Sequence, residues 1–130
     1  MSQIMLSRDS ALDALRKGFD ISPNLGPKEI IGEFIAFGCD NSNNLDDIAR
    51  YLTQAEENIT TKPTVRRRID ISTEDTERLE ALRRWAKTRA EILDHRRAPS
   101  IAFEACLLRA LTVAETPQGA EQLTARLKAR

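Results

Sequence analysis

The amino-acid sequence predicts a mainly α-helical protein with one short β-ribbon. Of its 130 residues, 41% are hydrophobic, 31% are charged and only 5% are aromatic, which is typical of amphipathic helices around a thin aliphatic core. Apolar residues recur at spacings of three and four along most of the chain, as they do on one face of a helix. The segment Val65–Ile71 is instead rich in β-branched residues and ends in alternation, the pattern of a strand.

The first predicted helix covers residues 10–19. Leu12 and Leu15 lie on one face of it and Phe19 extends the same stripe, so we expect these three side chains to enter the core. Residues 22–27 contain two prolines, a glycine and an asparagine, which end the helix by turn chemistry.

Two further helices are predicted before the strand. Pro27 suits the first turn of the second helix, which is apolar on more than one face and is therefore expected at the centre of the core. A third helix is predicted over about residues 45–59. Polar residues 60–64, which include a proline, form the best internal boundary.

A second pair of helices follows the strand. Ser72 is a strong N-cap candidate with Asp75 three residues on, and an apolar stripe predicts a helix through residues 79–93. Another helix begins near Ser100. A last short helix over about 118–128 offers only two leucines to the core, so we expect it to fray.

The formal net charge of zero conceals an uneven distribution. Residues 1–60 hold five basic and ten acidic side chains, and residues 61–130 hold fifteen basic and ten acidic ones. The second half therefore has the positive excess that binding to a polyanion requires. We divide the chain into an acidic helical segment (1–60), a strand–helix–helix unit (61–116) and a short basic C-terminal helix (117–130).

The sequence offers few residues for catalysis or metal binding, and we expect neither an enzyme nor a cofactor. Cys39 and Cys106 are flanked by apolar residues and are expected to be small buried side chains rather than a disulfide or a nucleophile. One histidine and two cysteines supply no zinc ligand set. Neither a membrane-spanning run nor a secretory signal is evident, so we expect a cytoplasmic protein.

The order strand, capped helix, turn and second helix within residues 64–115 resembles the ribbon–helix–helix family of DNA-binding proteins. The residues that carry the resemblance are the strand Val65–Ile71, the cap Ser72, the leucine stripe of the first helix and the second helix from Ser100. The resemblance implies that a two-stranded antiparallel ribbon enters the major groove of DNA, which is about 12 Å wide. It also implies that the start of the second helix binds the DNA backbone.

Alternation along the strand assigns the base-reading side chains. If Ile69 and Ile71 face the helices, then Arg66, Arg68 and Asp70 face outward. Arginine reads guanine O6 and N7 through two parallel hydrogen bonds, so Arg66 and Arg68 are candidate base readers. Asp70 would either accept from a cytosine amine or orient a cross-strand arginine, and we favour the second role. Without DNA binding, the arginines would be a solvated edge that blocks aggregation.

Phosphate contacts are expected from basic side chains around the strand and from the start of the second helix, where a hydroxyl and main-chain amides are available. Arg67 falls on the core-facing side near the end of the strand, from which a phosphate is within its reach. The candidate phosphate contacts are Lys62, Arg67, Arg96, Arg97, Ser100 and Ile101.

The strand needs a partner strand, because a lone strand leaves its backbone groups unpaired. The family usually pairs strands between two chains, and we favour such a homodimer. Alternatively, residues 2–6 form a degenerate strand of the same chain, since residues 11–17 echo residues 78–84. That tandem arrangement resembles the conjugation-associated VirC2 family, and it would present Gln3 and Met5 as weaker readers.

The leading functional hypothesis is sequence-specific binding of double-stranded DNA, by a repressor, a plasmid partition protein or an accessory protein of a conjugation relaxosome. The acidic half would then serve dimerisation or bind a protein partner. The alternative is a helical protein–protein interaction module of the antitoxin or adaptor type that does not bind DNA. A third, weaker hypothesis comes from Arg89 and His95, whose spacing is similar to the short motif of HEPN ribonucleases.

Overall fold

The computed structural model describes residues 3–39, 46–88 and 96–130. These ranges are mainly helical with one two-stranded antiparallel sheet, and they contain no helix that is both long and apolar enough to cross a membrane. The elements are β1 (Gln3–Ser7), α1 (Arg8–Ile21), α2 (Pro27–Cys39), α3 (Asp46–Ala49), α4 (Leu52–Thr61), β2 (Thr64–Arg68), α5 (Thr73–Thr88), α6 (Ala98–Val113) and α7 (Pro117–Lys128).

The two strands of the sheet belong to the same chain. The prediction that a second chain supplies the partner strand is wrong for β2, because β1 pairs with it along all five residues. Strand β1 has few β-branched residues, but Ile4 and Leu6 alternate on its inner face and are buried in the core, and such burial outweighs intrinsic strand preference. The register pairs Gln3 with Arg68, Ile4 with Arg67, Met5 with Arg66, Leu6 with Val65 and Ser7 with Thr64.

The order strand, helix, helix occurs twice. We call β1, α1 and α2 the first unit, and β2, α5 and α6 the second unit; α3 and α4 connect them. Helices α2 and α6 lie together at the centre of the apolar core, as the sequence predicted for α2. Their backbones touch, since a methyl group on Gly38 would collide with the carbonyl oxygen of Cys106.

Helix α1 packs through its small side chains. Ala14 and Gly18 are buried, and a methyl group on Gly18 would collide with Ile30 of α2. Leu12 is 45% exposed and Phe19 is 37% exposed. The prediction that these two residues enter the core was wrong, because α1 approaches α2 closely at Gly18 rather than at these positions. Leu15, the third residue of the predicted stripe, is buried as expected.

Glu104 is a fully buried carboxylate at the seventh residue of α6, and it binds the start of α1. The Ser7 main-chain N–H donates to Oε1 at 3.0 Å, and the hydroxyls of Ser7 and Ser10 lie 3.0 and 2.8 Å from Oε2. Asn58 of α4 also donates to Oε2, at 3.0 Å. These donors replace the water that the carboxylate loses on burial. They fix the end of β1 against α6.

Glu33 is the corresponding residue of α2, and it binds the C-terminal helix. Arg126 Nε donates to its Oε2 at 3.0 Å and Arg130 Nε donates to its Oε1 at 2.7 Å. Arg126 Nη2 also donates to Asp75, at the start of α5, at 2.6 Å. The expectation that the C-terminal helix frays was therefore wrong. Its two leucines are fully buried. In addition, Arg126 of α7 and Arg130 just after it bind Glu33 of α2, and a count of apolar residues does not include these contacts.

Cys39 and Cys106 meet in the core beside the contact of α2 with α6. Both are buried free thiols, as predicted, and their side chains are within hydrogen-bonding distance of each other. Burial raises the pKa of the Cys106 thiol well above its ordinary value, and the contact with Cys39 raises it further.

Candidate nucleic-acid interface

The outer face of the ribbon carries both arginines that the sequence singled out as base readers. Arg66 and Arg68 are exposed, and the residues directly opposite them on β1 are Met5, which is partly buried, and Gln3, which is exposed. Residues directly opposite in an antiparallel pair share a face, with Cβ atoms about 5 Å apart. These four side chains therefore form one surface, which we call the reading face.

The inner face of the ribbon anchors it on the helices. Ile4 is 6% exposed and Leu6 is fully buried. Arg67 lies opposite Ile4 and faces inward, as predicted. Its Nε is buried and has no hydrogen-bond partner among the residues that the structure describes. Because the inner side chains of the ribbon are fixed in the core, the reading face points outward. Other side chains of the ribbon do not cover it.

A cavity of about 470 Å³ separates the ribbon from the start of α2. It brings four cations and one carboxylate to the positive end of a 13-residue helix. The Asp70 main-chain N–H donates to the Lys28 carbonyl at 3.1 Å, which fixes this helix start beside the chain leaving β2. The lining residues are Gln3, Gly26, Pro27, Lys28, Glu29, Arg66, Arg67 and Arg68.

The start of α2 was not predicted as a part of this site. The helix start predicted to bind phosphate was that of the later helix, although Pro27 already indicated a helix start. This part of the site depends on contacts between segments that are distant in sequence. The pairing of β1 with β2 and the hydrogen bond of Asp70 to Lys28 bring Gly26–Glu29 beside the arginines.

Asp70 does not join the reading face. Its Oδ2 accepts from Arg130 Nη1 at 3.2 Å, and its main-chain carbonyl accepts from Arg130 Nη2 at 2.7 Å. The expectation that it orients a cross-strand arginine was wrong, because β2 ends at Arg68 and Asp70 binds Arg130, just after α7, instead. Its bond to Arg130 also competes with any contact to a cytosine amine.

The start of α6 differs from the predicted phosphate site. The helix begins at Ala98, and the main-chain N–H of Ile101 already donates to the Arg97 carbonyl at 2.8 Å. Ile101 is also fully buried, so its amide does not serve a phosphate. Ser100 is partly buried, and Arg96 and Arg97 are exposed at the helix start.

Lys62 is exposed between α4 and β2, near the end of the ribbon where Ser7 pairs with Thr64. The cavity beside α2 lies near Arg68 at the other end, so these basic groups flank the ribbon on both sides. Arg89 and His95, on which the ribonuclease hypothesis depends, lie outside the described residues.

Comparison with known proteins adds no further identification: no family model, curated protein or solved structure matches this chain. The function therefore has to be argued from the geometry and charge of the interface itself.

Proposed function

We propose that this protein binds double-stranded DNA in a sequence-specific manner, with the β1–β2 ribbon in the major groove. The observation that carries the proposal is the reading face, on which Arg66 and Arg68 are exposed while the opposite face of the same ribbon is buried. A two-stranded ribbon is one of the elements that fits the major groove, which is about 12 Å wide. A repressor, a partition protein or a relaxosome accessory protein would each use such a contact.

The reading face carries the chemistry that base edges require. A guanidinium donates two parallel hydrogen bonds to guanine, the amide of Gln3 both donates to and accepts from adenine, and the apolar Met5 suits a thymine methyl group. Each well-formed bidentate contact discriminates against a wrong base by about 1–3 kcal/mol. Both arginines of the face lie on β2, in the basic half of the sequence.

The cavity beside the ribbon is suited to a backbone phosphate. Lys28 and the start of α2 line it together with three consecutive arginines, Arg66–Arg68, so that four cations outweigh the one acid of the lining, Glu29. Helix N-termini attract phosphate through the helix dipole and free main-chain N–H groups. A phosphate bound there would set the orientation of the ribbon in the groove, since backbone contacts position the protein and base contacts specify the sequence.

The test is a fluorescence anisotropy titration of a random-sequence duplex pool at low salt. We expect the wild-type protein to bind, with the logarithm of the association constant falling against the logarithm of salt with a slope of about −5 if about six phosphates are contacted. The double variant Arg66→Ala, Arg68→Ala should lose about tenfold or more in affinity.

The matched control is Arg16→Ala, Arg50→Ala, which removes the same charge from exposed positions on α1 and between α3 and α4. We expect a loss of less than about threefold from this control, since it affects only the overall charge. No binding at low salt, or equal losses in the two double variants, would refute the proposed function.

A protein-interaction module is the second candidate, and one observation favours it. Leu12 and Phe19, seven residues apart on α1, are the large apolar side chains that remain exposed in the described part of the chain. Two results would support this candidate. The wild-type chain would bind no duplex at low salt, and it would bind a protein partner that the Leu12→Ser variant does not bind.

A further inference from the structure

We propose that one chain reads a non-palindromic site of about four base pairs, in which Gln3 and Met5 determine specificity beside the arginines. This inference rests on the proposed DNA binding and adds the symmetry and the base content of the target. It starts from the fact that the ribbon is formed by two unlike strands of one chain.

The two units can be matched by the serine that precedes the first helix of each. The Ser7 hydroxyl lies 2.7 Å from that of Ser10, three residues on. The Ser72 hydroxyl donates to Asp75, also three residues on, at 2.7 Å. In both units this contact marks the point at which the strand segment ends and the helix begins.

Matching these serines identifies the equivalent positions along the ribbon. Ile4 corresponds to Ile69, and the two are 6% and 4% exposed, in agreement with equivalent inward positions. Gln3 corresponds to Arg68, and these two residues also face each other across the ribbon. The local two-fold axis of the antiparallel pair therefore passes between Gln3 and Arg68.

The equivalent residues differ in what they bind. Arg68 carries only donors, whereas Gln3 carries a donor and an acceptor. Met5, which is apolar, corresponds to Asp70, which is bonded to Arg130. A palindromic site offers the same base edge to both units, as suits a symmetric dimer. Here it would leave either the arginine or the glutamine without a matching partner, so an asymmetric site binds more tightly.

The length of the ribbon sets the size of the site. Five paired residues at about 3.4 Å each span about 14 Å between the first and last, or about four base pairs at 3.4 Å each. Arg66 and Arg68 are two residues apart on β2, so their guanines lie about two base pairs apart. The bases contacted by Gln3 and Met5 are adenine and thymine.

The experiment is selection of bound duplexes from a random pool with the full chain, after low-salt binding of the unselected pool has been measured. We expect a non-palindromic motif with two guanines about two base pairs apart and an A·T pair next to each of them, since Gln3 lies opposite Arg68 and Met5 lies opposite Arg66. The variant Gln3→Arg, at an exposed position, should change the preferred base under residue 3 from adenine to guanine, and Gln3→Ala should reduce the preference there about fivefold or more. Arg68→Ala should relax only a guanine position.

Each outcome separates this inference from the proposed function. If the unselected pool does not bind, the proposed function fails and the inference fails with it. If the pool binds with the expected salt dependence but the motif is palindromic, or no motif is enriched, the inference is overturned while DNA binding stands. An unchanged motif for Gln3→Arg would also overturn it.

Discussion

Glu33 and Glu104 occupy the same position, the seventh residue, of α2 and α6, and each binds the start of the first helix of the other unit. Glu104 does so directly through Ser7. Glu33 does so through Arg126, which bridges to Asp75. These contacts hold the strand segment before each helix start. Neutral donors hold the segment before α1, and a guanidinium holds the segment before α5.

The first prediction concerns the donors around Glu104. Replacing Glu104 by Gln keeps its shape but exchanges one acceptor oxygen for an N–H donor, which then faces the Ser7 amide or the serine hydroxyls. We expect the free energy of unfolding to fall by about 1–3 kcal/mol, measured by urea denaturation. Glu115→Gln, at an exposed position just after α6, is the control and should change stability by less than about 0.5 kcal/mol. Equal stability of the two variants would show that the buried acceptor is not needed.

The second prediction concerns the C-terminal helix. Arg126→Ala leaves Glu33, 5% exposed, and Asp75 with fewer partners. Since each carboxylate keeps other partners, Arg130 for Glu33 and Ser72 and Arg78 for Asp75, we expect a loss of about 1–3 kcal/mol in unfolding free energy, as for a hydrogen bond to a charged group. Lys128→Ala removes the same charge from an exposed position on the same helix and should have almost no effect. If both variants lose equally, the ion pairs do not hold α7.

The third prediction concerns alkaline pH. Because burial raises the pKa of the Cys106 thiol in the folded protein, the unfolded chain releases its thiol proton first as pH rises. Stability is therefore full below the ordinary thiol pKa of about 8.5 and falls above it, by at most about 1.4 kcal/mol per pH unit. Comparing wild type with Cys106→Ala between pH 7 and pH 10 isolates this contribution. An equal pH dependence in the two proteins would contradict it.

The fourth prediction concerns the oligomeric state. Since β1 supplies the partner strand for β2, folding does not require a second chain. Light scattering should give 14.6 kDa, and the midpoint of thermal unfolding should not depend on protein concentration. Twice that mass, with a midpoint that rises with concentration, would indicate that two chains are needed.

Local sequence pattern was sufficient to locate β2 and to assign Arg66 and Arg68 to its outer face, because alternation depends only on neighbouring residues. The predicted strand ran to Ile71, whereas β2 ends at Arg68. The pattern also predicted the central position of α2, and it placed Ser72 directly before the helix that becomes α5. Sequence pattern was not sufficient where the burial of a residue depends on contacts between segments that are distant in sequence. The ungapped match of residues 11–17 with 78–84 equates Leu12 with Leu79, but Leu12 is 45% exposed and Leu79 is 2% exposed.

The remaining differences also depend on tertiary contacts. Asp70 and Arg130 are 60 residues apart in sequence, and no spacing rule predicts their hydrogen bond. The α2 part of the candidate interface likewise depends on the pairing of β1 with β2 and on the hydrogen bond between Asp70 and Lys28. The residues that make polar contacts with α7 are also far from it in sequence. The sequence of a short helix with two leucines therefore did not predict these contacts.

The most direct test of the central claim is an NMR titration of the ¹⁵N-labelled chain with a bound duplex. The proposed DNA contact predicts the largest backbone amide shifts in residues 3–7 and 64–68 and at the start of α2, together with changed side-chain Nε–Hε signals of Arg66 and Arg68. Shifts confined to α1 or α7, with the ribbon signals unchanged at saturation, would contradict it.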